Sequence, residues 1–113
     1  MKAITCLESK FAVRSGGHNA NIGFGSVGAD GVVLDLSSLH SIEVSSDKKH
    51  ASVGPGAKWE AVYTALEAEN LTVIGGRVSD VGVGGLVLGG LPHFCFPRFF
   101  RAPLGTILPL RLC

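Results

Sequence analysis

An α+β domain with short strands, a hairpin and one clear amphipathic helix is the fold class this sequence predicts. Three observations lead there: β-branched apolar runs of strand length bounded by glycine, a pair of alternating segments that can fold back on themselves, and one stretch with helical spacing. They are interleaved along 113 residues, room for one small domain.

In chain order, residues 3 to 8 read as the end of a helix. Phe11-Ala12-Val13, ending at Arg14 and Ser15-Gly16-Gly17, predicts a buried strand feeding a tight loop. Gly31-Val32-Val33-Leu34-Asp35-Leu36 predicts a core strand, with Asp35 anchoring the loop that follows. Ser41 to Ser45 alternates polar and apolar, Asp47-Lys48-Lys49 supplies a turn, and Ala51-Ser52-Val53 returns, making a hairpin with one wet face. Trp59, Val62, Tyr63 and Leu66 fall at i, i+3, i+4 and i+7, so a helix is expected over about residues 57 to 69. The same spacing gives Tyr63 a core role rather than that of a catalytic base. Leu71 to Ile74 reads as a strand ending at Gly75-Gly76, and Leu86-Val87-Leu88 as a helix after Gly82-Val83-Gly84-Gly85.

Hydrophobic residues make up 46% and charged residues 17%, which excludes a disordered, solvating chain. Mean hydropathy is +0.37. A net charge of +1 gives no global field to attract nucleic acid or an anionic membrane. Cys6, Cys95 and Cys113 match neither a disulfide framework nor zinc spacing, and read as free thiols. His40, His50 and His93 have no carboxylate or cysteine at ligand spacing, so no metal site is expected. The N-terminus lacks the apolar run of a secretory signal, so export of the chain as written is not expected.

Composition changes after Gly90. Leu91 to Cys113 holds four of the five prolines, four of the six phenylalanines and no acidic residue. Its charge is +3, against −2 for residues 1 to 90. Pro92, Pro97, Pro103 and Pro109 interrupt any helix or central strand, and the apolar runs between them are too short to span a bilayer. Residues 1–90 therefore read as the domain and 91–113 as an atypical tail outside the fold.

Sixteen glycines, about 14% against a usual ~7%, cluster where turns are needed. Arg14-Ser15-Gly16-Gly17-His18 follows a strand, and its glycines let successive backbone N–H groups converge on an anion such as a phosphate. Gly82-Val83-Gly84-Gly85 is the second candidate, where the amides opening a helix would add another anion site and Asp80 can cap the preceding turn. Neither segment has P-loop or Rossmann spacing, and each taken alone reads more readily as a plain turn than as an anion site. His18, directly after the glycine pair, stands where a ligand would sit.

Phe11 to Asn19, Gly31 to Ser37, Val53-Gly54-Pro55-Gly56-Ala57-Lys58-Trp59, and Gly75-Gly76-Arg77 with Val81 to Gly85, taken in order, closely resemble the PCMH-type FAD-binding domain of the vanillyl-alcohol oxidase superfamily. Within it, the chain is most similar to fungal berberine-bridge-like FAD-linked oxidoreductases. The resemblance covers roughly residues 1 to 90 and implies FAD as cofactor, with a possible covalent link from His18 to the 8α carbon of the flavin. It implies that Arg14, Ser15, Gly16, Gly17 and Asn19 meet the pyrophosphate region and that Ser79, Val81, Gly82 and Gly85 line the other side. Val78 stands where some relatives carry a second, cysteine link, so only one tether is implied. It also implies hydride transfer from a small organic substrate to flavin and on to oxygen, in a family whose full-length members are often secreted.

Relatives continue with the rest of the FAD domain and a substrate domain, neither recognisable in Leu91 to Cys113, and they are longer before the first glycine loop. A partial domain is therefore expected, its tail arising from a frameshift or retained intron in the gene model, and no catalytic residue is assigned. Two alternatives stand beside the oxidoreductase. One is a catalytically inactive fragment or nucleotide-binding remnant; the other is an interaction module using the basic tail, disfavoured by the lack of any basic patch in residues 1–90.

Overall fold

The computed structural model describes residues 2–89, 106–108 and 110–112. A short helix, α1 (Lys2–Cys6), precedes β1 (Lys10–Arg14), which pairs in parallel with β2 (Gly31–Asp35) so that Phe11 faces Val32 and Val13 faces Leu34. The Leu36 N–H donates to the Arg14 carbonyl at 2.9 Å and extends this ladder. At its end, Arg14 Nη2 and Nε donate to Asp35 Oδ2 at 2.9 and 3.3 Å, while Asp35 Oδ1 accepts the Ser37 N–H at 2.9 Å. Hydrogen bonds from Ser37, with the Arg14 contact added, hold the Asp35 carboxyl down at about 2. Asp35 thus anchors its loop, as expected.

The burial expected of β1 and β2 is not found. Phe11 and Val13 are 46% and 48% exposed, and Val32 and Val33 are 41% and 36% exposed. Side chains of paired parallel strands alternate between both faces, and a two-stranded ribbon lying away from the core can cover neither of its own faces.

The hairpin forms as read. β3 (Ile42–Val44) and β4 (Ala51–Val53) pair antiparallel around a turn with Lys48 at φ 52°, and Ala51 and Val53 are fully buried while Glu43 is exposed. Ser45 Oγ donates to Asp47 Oδ1 at 2.6 Å inside this turn.

α2 (Trp59–Glu67) buries Trp59, Val62 and Leu66, the face marked by the spacing, against Ala51, Val53, Ala57, Val73 and Val83. Asn70 at φ 56° follows it, a left-handed position that asparagine tolerates, and the chain turns into β5 (Leu71–Val73). Trp59 is the packing centre. A Cβ at Gly75 would meet its ring at 2.7 Å or less, and Tyr63 stacks on it with ring centroids 5.7 Å apart. The Tyr63 hydroxyl donates to the Gly76 carbonyl at 2.7 Å. Trp59 Nε1 is buried without a hydrogen-bond partner among the described residues.

α3 (Val83–Leu88) follows. Beyond it, β6 (Thr106–Leu108) pairs in parallel with β5, and β7 (Leu110–Leu112) pairs in parallel with β4. The reading of residues 91–113 as outside the fold therefore meets two three-residue strands in that segment. Proline spacing forbids long elements but leaves Thr106-Ile107-Leu108 and Leu110-Arg111-Leu112, either side of Pro109, free to add to strand edges. His93, Cys95, Cys113 and the remainder of the tail lie outside the described residues.

Candidate cofactor site

Neither α2 nor α3 is capped by a side chain. Each start instead caps the other. The first amides of α2, on Trp59 and Glu60, donate to the carbonyls of Val81 (3.1 Å) and Ser79 (3.0 Å). The first amides of α3, on Val83 and Gly84, donate to Ala57 (2.9 Å) and Pro55 (3.2 Å). A Lys58–Gly82 bridge joins the two segments, and Lys58 Nζ forms an ion pair with Asp80. Asp80 therefore holds Lys58; the contact depresses its carboxyl through that hydrogen bond first and the ammonium charge second.

This reciprocal capping brings the second glycine loop onto the first. A Cβ on Gly16 would lie 2.8 Å or less from the Gly82 backbone, and one on Gly82 would lie 2.8 Å or less from that of Gly16. Gly17 sits at φ 68°, a left-handed conformation that costs glycine little.

A cleft of about 850 Å³ opens along this contact. Arg14, Ser15, Gly16, Gly17, His18 and Asn19 line one side, and Val81, Gly82 and Gly85 the other. Nine of the ten residues singled out in the sequence thus come together. Ser79 does not line the cleft, because its carbonyl is turned to the start of α2. The second anion site expected from the α3 amides is also changed: the Val83 and Gly84 N–H groups are already bonded to Ala57 and Pro55.

A further wall was not anticipated. Asn19 Oδ1 accepts the Asn21 N–H at 3.0 Å and the Phe24 N–H reaches the Asn21 carbonyl at 3.3 Å, which turns the chain at Gly23 (φ 86°) and sets Ile22 and Phe24 on the lining with Leu86. The available signal was two apolar residues alternating with Gly23 and Gly25, bulky groups where a plain loop would be polar.

Chemically, the cleft has two halves. The glycine loops and Arg14 line one part, with no Asp or Glu in the lining among the described residues, while Val13, Ile22, Phe24 and Leu86 offer apolar surface. Such a site suits a ligand that joins an anionic group to a flat ring. Among the described residues, no group of three His, Cys, Asp or Glu could hold a metal, and no helix is long and apolar enough to cross a membrane. Cys6 is an exposed free thiol.

The sequence model of the FAD binding domain matches residues 1–95. The chain belongs to this family. It is 53% identical over 89 residues to the FAD-dependent monooxygenase macF of Penicillium terrestre, covering 79% of this chain and 17% of that protein. It is 51% identical over 90 residues to the FAD-dependent monooxygenase yanF of Aspergillus niger, covering 80% and 16%. Among solved structures, it superposes on aclacinomycin oxidoreductase with a TM-score of 0.68 at 37% identity, over 78% of this chain and 18% of that one. The chain thus spans under a fifth of the length of these relatives. The short mixed sheets and helices are those of the PCMH-type FAD-binding domain, and FAD is its cofactor. The described residues fit it, with glycines meeting backbone to backbone and no carboxylate among them on the lining for the pyrophosphate, and apolar side chains for a ring.

Proposed function

We propose that this chain is the FAD-holding part of an oxidoreductase that takes a hydride from a small organic substrate and passes electrons to oxygen. The observation that carries this reading is the meeting of the two glycine loops, backbone against backbone, on one cleft with His18 in its lining. The backbone amides of Ser15, Gly16 and Gly17, with the Arg14 guanidinium, hold the pyrophosphate. Arg14 retains donors for this role beyond the two given to Asp35. Ile22, Phe24 and Leu86 offer apolar surface to the ring side of the cofactor. His18 supplies the imidazole nitrogen for a covalent tether, which anchors the ring and fixes its orientation. FAD supplies hydride acceptance when bound, and the protein supplies binding, orientation and electrostatics. Residues 1–90 are the proposed extent of this unit.

The test is reconstitution with FAD followed by acid precipitation. Yellow colour retained in the wild-type pellet and lost in His18→Ala is the expected result; flavin wholly in the supernatant for both excludes the tether. A second reading, flavin binding without turnover, is favoured by one feature: among the described residues, Arg14 and His18 are the only ionisable side chains on the lining. With His18 bonded through one ring nitrogen, the described lining offers only its other nitrogen to take a substrate proton. Bound flavin that is never bleached by organic substrates under anaerobic conditions would establish that reading.

A further inference from the structure

Three loops converge on one oxygen. The Pro55 carbonyl accepts the Ser15 hydroxyl at 2.5 Å and the Gly84 N–H at 3.2 Å. Ser15 belongs to the first glycine loop and Gly84 to the second, while Pro55 lies in the Gly54-Pro55-Gly56 turn, which does not line the cleft. A carbonyl oxygen has two lone pairs, and both are used here. The packing is tight: a Cβ on Gly84 would lie 2.7 Å from the same carbonyl oxygen.

A hydroxyl carries one proton, and that of Ser15 is committed to Pro55. Its remaining capacity is as an acceptor, which the oxygens of an ionised pyrophosphate cannot use. We infer that Ser15 is a positioning residue that straps the two glycine loops together through the Pro55 carbonyl, and that it makes no side-chain bond to the cofactor's phosphates. The inference rests on the FAD reading above for the identity of the ligand. Phosphate recognition at this loop then falls to backbone N–H groups. A further consequence is coupling, because an anion that stiffens Ser15 to Gly17 also stiffens Pro55 and, through it, the start of α3.

Amide exchange at Gly84, followed by NMR on the 113-residue chain with inorganic pyrophosphate as the probe, tests this. In the free protein, Ser15→Ala should speed Gly84 exchange about tenfold, since the acceptor loses the partner that holds it in place. Pyrophosphate should slow Gly84 exchange in the wild type and much less in the variant. Unchanged exchange in the free variant overturns the inference, as does measurable protection by pyrophosphate that is equal in both forms. If Ser15→Ala does not fold, the wild-type hydroxyl proton decides: its slowed exchange should persist when pyrophosphate binds, and its release on binding overturns the strap. Failure of the wild type to bind either pyrophosphate or FAD would count against the FAD reading alone, because the free-state comparison is independent of any ligand.

Discussion

Gly16, Gly82 and Gly85 share one cleft but differ in what a methyl group would meet. At Gly16 or Gly82 it would strike backbone of the facing loop, so Gly16→Ala and Gly82→Ala should each lower stability by about 1–3 kcal/mol in denaturant melts and abolish flavin retention. Gly85 has open space where a Cβ would stand and lies inside α3. Gly85→Ala should therefore raise stability by up to about 1 kcal/mol while weakening FAD binding, a dissociation of the two that isothermal titration and melts on one preparation would reveal. Asp35 adds a pH dependence. Its carboxyl is held at about 2 rather than 3.8, so its contribution to stability is fully present above the ordinary value and is lost as pH falls from about 4 towards 2. Urea midpoints measured across that window should fall less steeply in Asp35→Asn than in the wild type.

Among the elements, α2 was the most legible, because Trp59, Val62 and Leu66 repeat at helical spacing and all three are buried. Leu66→Ala should cost about 2–5 kcal/mol, read from the shift in denaturation midpoint, since the side chain is fully buried in the core. Its start was not legible: Lys58 is no N-cap residue, and the caps are carbonyls some twenty residues downstream. The same remoteness hid the fate of the α3 amides and of Ser79, since no local pattern records which distant carbonyl an amide will meet. Loop residues Arg14 to Asn19 were found because a glycine pair after a strand is a local signal. Ile22 and Phe24 escaped because their significance lies in the cleft they face and not in their neighbours along the chain. The strands β1 and β2 were read correctly as strands and wrongly as buried, for apolar composition does not reveal how many neighbours a sheet has.

At the scale of the whole molecule, that ribbon is the conspicuous liability. Phe11, Val13, Val32 and Val33 leave apolar surface on both of its faces, and paired strands with open edges invite further pairing. Light scattering of the purified chain should show concentration-dependent association, reduced by Val33→Lys, which puts a charge on one exposed face; equal scattering from both proteins would place the sticky surface elsewhere. The core itself gathers around Trp59, the only tryptophan in the chain. Its indole is sealed from water beneath Gly75 and Gly76 and lies one residue from the bridge between Lys58 and Gly82, a residue of the cleft lining. The protein therefore carries its own optical reporter: emission from a single site should shift to the red when the core opens and dim by energy transfer when a yellow chromophore occupies the cleft, so that one fluorescence trace distinguishes an unfolded chain, an empty fold and a loaded one.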